Sequence, residues 1–348
     1  MKTLFFCNTN YQLIVAMQIS ISLKKNSSII VTNSIKNCEE IISNLKKTKL
    51  FEHVTYLDVK TKNNSLELVR RCVFGYVPKE IKDCVFDEFV GFNFDIPSHM
   101  VFAFFYGKNR NIAVNKMEEG LMSLNTPEAS CRVIEVSRQI RRFLHKRNLR
   151  GSISGVYCFS PNVNKSGIPS IQIPLINKNS KIKEYLNTVF CKNRTFEYKE
   201  KYIFLSCIYD IEGGEAIGEF ELAKAIADKV GKNNLLVKVH PRDDKEKYIS
   251  SGLKVDENSS IPFEVIQINS DFSSKILITT LSGSVLNFNS VLEEVPIAYY
   301  GYKLCTLERN TLASHYKGII EQYINDTDLG LRNIKILESI EELRNGTN

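Results

Sequence analysis

Short runs of β-branched and aromatic residues alternate along this chain with helix-length stretches, and that alternation constrains the fold more than any motif does. Thr3–Cys7, Ser28–Thr32 and His53–Val59 read as buried strands, with helices over Tyr11–Ser22 and Glu39–Lys47 between them. A βαβαβ order of this kind predicts a doubly wound, Rossmann-like half. Lys60–Glu80 reads as helix with a loop and Arg110–Asn115 as a strand, while Cys84–Asn93 and Ser98–Tyr106 fit either state. Gly151–Thr195 carries Gly151, Gly155, Pro161, Gly167, Pro169 and Pro174 with short strand-like pieces at Val156–Phe159 and Ser170–Ile173, which reads as a passage between domains. The alternation then restarts. Lys201–Cys207, Leu235–Val239, Ser274–Thr280 and Val295–Tyr299 are strands, Glu219–Val230 is an amphipathic helix closed by Gly231, a helix begins near Val285, and Leu337–Arg344 is a closing helix. The expected class is α/β with two Rossmann-like doubly wound domains, 1–155 and 199–348, joined by 156–198.

At 348 residues the chain is long enough for two domains. No apolar run approaches the roughly 20 residues that span a bilayer. Met1–Asn8 is too short in its apolar part for a signal peptide and reads as a first strand, so a cytoplasmic protein is expected. Nine cysteines without a CxxC pair point to reduced thiols and away from zinc. The net charge of +7 is concentrated between Arg132 and Arg150. There Val133, Val136, Ile140, Phe143 and Leu144 share an apolar stripe flanked by Arg138, Arg141, Arg142 and Lys146. Two readings fit: a basic amphipathic helix on an anionic membrane surface, or a core-packed helix with a solvated basic face. Nucleic acid is not indicated, because no recognition motif accompanies the charge.

Five stretches fall at strand ends or helix starts, and the carboxyl ends of strands are where ligands bind in open parallel sheets. The first is Asn8-Thr9-Asn10, directly before a helix; it lacks glycine, so it is no dinucleotide fingerprint and argues against a NAD enzyme. Glu118-Glu119-Gly120 offers a carboxylate pair for acid–base work, or else two ordinary loop glutamates. Lys238, His240, Pro241 and Arg242 put cationic groups at one strand mouth, suited to a phosphate; the alternative is a surface turn that carries a histidine. Pro262-Phe263-Glu264 opens a helix, and Thr280-Leu281-Ser282-Gly283-Ser284 places hydroxyls and a glycine before another, which is either a phosphate cradle or a serine N-cap. Taken together, the last three describe a nucleotide-phosphate site.

This set, with Cys7-Asn-Thr-Asn-Tyr-Gln-Leu13 at the start, resembles bacterial sialyltransferases, most closely glycosyltransferase family 52 of the lipooligosaccharide and capsule type. The likeness lies in short motifs from residue 1 to about residue 300. It implies a GT-B architecture with two domains facing a central cleft, the first on the acceptor side, a CMP-sialic acid donor, no metal or other cofactor, and a homodimer. It further implies that His240 stabilises the departing phosphate as an acid or hydrogen-bond donor, that Ser282 and Ser284 bind that phosphate, and that Glu264 binds the ribose. The base is Asp210 by the family 52 pattern, or the pair Glu118 and Glu119 by related families. The remaining substrate contacts would be Asn8, Thr9, Asn10, Gln12, Gly120, Lys238, Pro241, Arg242, Phe263, Thr280 and Gly283. Two departures stand out: Asn10 where proline is more usual, and Gly283 between serines that are more often adjacent. The implied reaction is inverting transfer of sialic acid to a terminal galactose or similar sugar, with a UDP- or GDP-sugar transferase or a non-catalytic binding protein as alternatives.

Overall fold

The structure, a computed structural model, describes residues 1–59, 64–120, 123–124, 130–191, 194, 196–291, 296–326 and 333–343. The chain divides into two compact units, one formed by Met1–Glu119, Ser123–Pro174 and Ser180–Lys192, the other by Gly120–Met122, Leu175–Asn179 and Asn193–Asn348.

The first unit is built on β1 (Lys2–Cys7), β2 (Asn26–Thr32), β3 (Val54–Leu57), β4 (Glu88–Gly91), β5 (Ala113–Met117), β6 (Ile153–Cys158) and β7 (Ser170–Gln172). They form one sheet in the order β3-β2-β1-β4-β5-β6-β7, with every pairing parallel. The order reverses between β1 and β4, which opens the crevice at their carboxyl ends. Strands such as Leu4-Phe5-Phe6 are apolar on both faces because helices cover both sides of a parallel sheet. Those helices are α1 (Asn10–Ser22), α2 (Cys38–Thr48), α3 (Ser65–Phe74), α4 (Ile96–Lys108), α5 (Arg132–Phe143) and α6 (Ile182–Leu186). The segment expected to link two domains instead supplies β6 and β7 to this sheet. Of the two ambiguous stretches, the first holds the strand β4 and the second the helix α4, whose residues are apolar nearly all round and buried accordingly.

Two local features decide how α3, α4 and α5 pack. Gly75 ends α3 at φ +97°, and a Cβ there would lie 2.4 Å from the backbone Cα and N of Phe104 in α4. Gly75→Ala is therefore expected to cost about 3 kcal/mol or more, from the positive φ together with overpacking, read as a fall in the urea midpoint. The stripe on α5 behaves differently from a core-packed face. Ile134, Ser137 and Arg141 are buried, whereas Val136, Ile140, Phe143 and Leu144 are exposed, Phe143 at 83%. Arg141 sits inside because its guanidinium donates to the carbonyls of Val73 and Arg147 and lies over the rings of Phe102 and Tyr106. No helix among the described residues is long and apolar enough to cross a membrane.

The second unit carries β8 (Tyr202–Leu205), β9 (Leu235–Lys238), β10 (Lys254–Val255), β11 (Ile276–Thr279), β12 (Ile297–Tyr300) and β13 (Ile334–Ile336), again all parallel, in the order β10-β9-β8-β11-β12-β13. Its helices are α7 (Glu219–Val230), α8 (Lys245–Ser250), α9 (Phe263–Asn269), α10 (Ser284–Val291) and α11 (Thr311–Asn325). Both units are thus Rossmann-like doubly wound sheets, the pair of halves from which GT-B chains are made. Where a closing helix was expected over Leu337–Arg344, the described residues form a 3-10 turn at Ile340–Glu342, held by a Ser339–Glu342 capping box, just after β13; Arg344 lies outside the described residues.

Candidate functional site

In the first unit the polar loop after β1 and the carboxylate pair after β5 meet. Tyr11 donates its hydroxyl to Glu118 Oε1 at 3.0 Å, and the Phe159 amide donates to Glu118 Oε2 at 2.9 Å. Glu118 has no exposed surface, and burial pushes its carboxyl up to about 7 against those two donors. Glu119 is partly open. Gln12 Nε2 donates to its Oε2 at 2.9 Å and its own amide donates to Ser123 Oγ at 2.7 Å. Burial raises its carboxyl, while the bonds from Thr9 and Gln12 pull the other way.

The loop residues expected to meet substrate mostly serve this pair. Asn8 donates its amide to Gln12 Oε1 (2.7 Å) and its Nδ2 to Asp95 (3.0 Å), and accepts from Thr32 on Oδ1 (2.9 Å). Thr9 caps α1 by accepting from the Gln12 amide. Among the described residues, no protein donor reaches the buried side-chain oxygen of Asn10. Tyr11 and Asp95 are the functional neighbours that sequence reasoning missed; Tyr11 lay inside the opening motif, but only the fold shows it reaching Glu118.

In the second unit the strand register sets the site. Leu205 pairs with Lys238 on one side and Thr279 on the other, so Ser206, His240 and Ser282 all lie just beyond one level of three adjacent strands. The His240 amide donates to Ser206 Oγ at 2.8 Å, and the Arg242 amide donates to His240 Nδ1 at 3.2 Å. An Nδ1 that accepts leaves the proton of a neutral imidazole on Nε2. Burial first, then the neighbouring Arg242, lowers the imidazole to about 4, so it is neutral near pH 7 and offers Nε2–H as a donor. Ser282, Gly283 and Ser284 are half-buried at the start of α10, with Ser282 Oγ accepting from the Ser284 amide at 3.3 Å. Glu264 is buried in the first turn of α9, its carboxyl raised by burial, with Asn287 Nδ2 at 3.5 Å. Gly120 belongs to this unit; at φ +80° its Cβ would come 2.8 Å from Asn287 Oδ1.

Several expected contacts have other partners. Lys238 is not a free cation at the strand mouth: it is buried, donates to the carbonyls of Asn258 and Ile261, and burial lowers it to about 8. Arg242 is exposed and paired with Glu212 at 2.8 Å, and Pro241 is an exposed turn residue beside it. Phe263 is buried edge-on against Phe272. Asp210 accepts four backbone N–H bonds, from Ile217, Gly218, Glu219 and Phe220, which makes it the anchor of the start of α7. Thr280 is turned inward onto Glu219.

Glu219 was missed because a first-turn glutamate looks like ordinary helix chemistry. Its Oε1 accepts from the Cys207 amide at 2.6 Å, so one carboxyl joins the ends of β8 and β11. Burial pushes it up to about 7. The folded pKa lies above the unfolded one, so the native state holds the proton more tightly. The stabilisation is complete below about pH 4 and is lost as pH rises through 7. The urea midpoint is expected to fall from pH 5 to pH 8, and Glu219→Gln to remove a share of that slope worth about 3 kcal/mol. No group of three or more His, Cys, Asp or Glu among the described residues is placed to hold a metal.

Residues 3–300 match the family model described as Alpha-2,8-polysialyltransferase (POLYST). The chain belongs to this family. It is therefore a member of a sialyltransferase, and so glycosyltransferase, family, and the match takes in both the Glu118-Glu119 pair and the His240 turn. No curated protein matches the sequence. Among solved structures, the Methanocaldococcus jannaschii UDP-GlcNAc 2-epimerase in complex with UDP-GlcNAc and UDP is similar at 14% identity over 98% of this chain and 90% of that one, with a TM-score of 0.47. Another UDP-N-acetylglucosamine 2-epimerase is 16% identical over 94% and 88% (TM-score 0.45), and Acinetobacter baumannii MurG is 10% identical over 97% and 85% (TM-score 0.39).

Proposed function

We propose that this polysialyltransferase-family chain is an inverting sialyltransferase that moves sialic acid from CMP-sialic acid to a sugar hydroxyl of a bacterial surface glycan. The observation that carries the reading is the family match over residues 3–300. The site chemistry supports it on both sides of the reaction. Glu119, partly open and held on one oxygen by Gln12, is the base for the acceptor hydroxyl; Asp210, with four backbone donors, is the weaker choice. Asn10 Oδ1 is an acceptor suited to a second sugar hydroxyl. His240 Nε2–H and the hydroxyls of Ser282 and Ser284 are neutral donors for a departing phosphate, whose stabilisation matters most when the anomeric centre becomes oxocarbenium-like. Glu264 takes the ribose. The reading involves no metal, since those donors can themselves stabilise the departing phosphate.

The finer placement in glycosyltransferase family 52, with a capsule or lipooligosaccharide acceptor, belongs to the same proposal, as do a homodimer and a cytoplasmic protein resting on the membrane through 132–150. The exposed apolar stripe of α5 supports that last element. The acceptor is a terminal galactose or a terminal sialic acid, the latter favoured by the α-2,8 linkage in the family's name.

The test follows CMP release from CMP-sialic acid with no acceptor, with lactose and with sialyllactose. Stimulation by either sugar identifies the acceptor class. Protection by UDP and not CMP would replace the donor with a UDP-sugar. CMP binding without release under any condition would leave a non-catalytic binding protein.

A further inference from the structure

The first unit holds a cavity of about 450 Å³ that the reaction above does not use. Leu57 at the end of β3, Leu68 of α3, Tyr76, Met100 of α4 and Ile134 of α5 form apolar walls, and Asp95 lies on its polar edge. That volume lies within the usual range for a small-ligand site. We infer that the cavity binds a single alkyl or acyl chain carried by the acceptor, so that the chain recognises a lipid-linked glycan by its hydrocarbon as well as its sugar. The inference rests on the glycosyl-transfer reading for the acceptor's sugar end.

Two observations give the occupant. The rim runs onto an exposed apolar face: Tyr76 lines the cavity yet is 41% exposed, and Leu66, Phe74, Ile140 and Phe143 are exposed on the neighbouring helices α3 and α5. Cations border this face, with Arg71, which is also paired with Glu67 at 2.7 Å, over the Tyr76 ring at 4.3 Å, and Lys146 over the Phe74 ring at 4.6 Å. Apolar side chains ringed by basic ones suit an anionic lipid surface, from which a hydrocarbon chain reaches the cavity without crossing water. At the other end, Asp95 bonds Asn8, Asn8 bonds Gln12, and Gln12 bonds Glu119, each contact between 2.7 and 3.0 Å. A sugar attached to the buried chain would therefore emerge beside the polar crevice that carries the base.

The test uses octyl β-galactoside and methyl β-galactoside, below micelle concentration, titrated into the full chain by calorimetry. At roughly threefold or more per buried methylene, the octyl glycoside is expected to bind at least about 30-fold tighter. Leu68→Trp, which fills the cavity from a half-buried helix position, is expected to abolish that preference, and Leu68→Glu, which makes the same wall charged, to do likewise should the first variant fold poorly. Equal binding of the two glycosides by the wild-type chain overturns the inference. So does an octyl preference that survives both Leu68 variants. CMP release from CMP-sialic acid, followed in parallel, separates the two readings: a chain-length preference without release removes sialyl transfer and leaves the cavity assignment standing.

Discussion

Glu119→Gln is expected to lower kcat by about 100- to 10,000-fold, the usual loss when a positioned general base is removed. Glutamine preserves the size of the side chain and can still meet Gln12, so binding of CMP should change little. Glu118 is the poorer candidate for direct proton transfer, since it has no exposed surface and both its oxygens are engaged by Tyr11 and the Phe159 amide. Because burial raises the Glu119 carboxyl above its ordinary value, the acidic limb of kcat/KM should lie higher than a solvent-exposed glutamate would set it. Activity falls as pH drops through that pKa, and the limb should vanish in the glutamine variant. Kinetics between pH 5 and 9 for both proteins test this. A glutamine variant within threefold of wild type would return the base to Asp210, whose replacement by asparagine should then carry the loss.

The second large effect concerns the leaving group. His240→Ala should cost about 100- to 1,000-fold in kcat, the scale found when one preorganised donor to a developing charge is deleted. The orientation is set by the chain itself: the Arg242 amide occupies Nδ1 and so keeps Nε2–H available. With its pKa held down to about 4, His240 is predominantly neutral between pH 5 and 8. The rate should therefore show no limb assignable to His240 in that window. His240→Gln, a neutral donor, should recover part of the rate that alanine loses. A profile rising toward low pH and lost in both variants would instead make His240 a proton donor, contrary to the geometry.

How much of this was legible beforehand follows the range of the interactions involved. Strand and helix alternation is written in apolar periodicity within a few residues, so the two parallel sheets and the placing of Glu118, Glu119, His240 and Ser282 at strand ends could be read directly. Element ends were less legible: β6 and β7 looked like parts of a linker because Gly155 falls inside the first and Pro169 directly before the second, and the three residues of β13 carry too little pattern to be read as a strand.

Side-chain direction was not legible at all, and there tertiary partners decided. Asp210 and Glu219 are both acidic residues near a glycine turn. One is held by four amides at a helix start, and the other is driven inward onto Cys207 and Thr280. Lys238 looked like a phosphate cation until the carbonyls of Asn258 and Ile261 were folded over it. On α5 the periodicity marked an apolar stripe correctly but not which way it faces. Two backbone carbonyls satisfy the buried Arg141, and that turns the stripe to solvent. Local pattern determines that a helix or strand forms and where its ends present polar groups; which of those groups stays free is decided by desolvation and by the donors and acceptors that other parts of the chain bring to it.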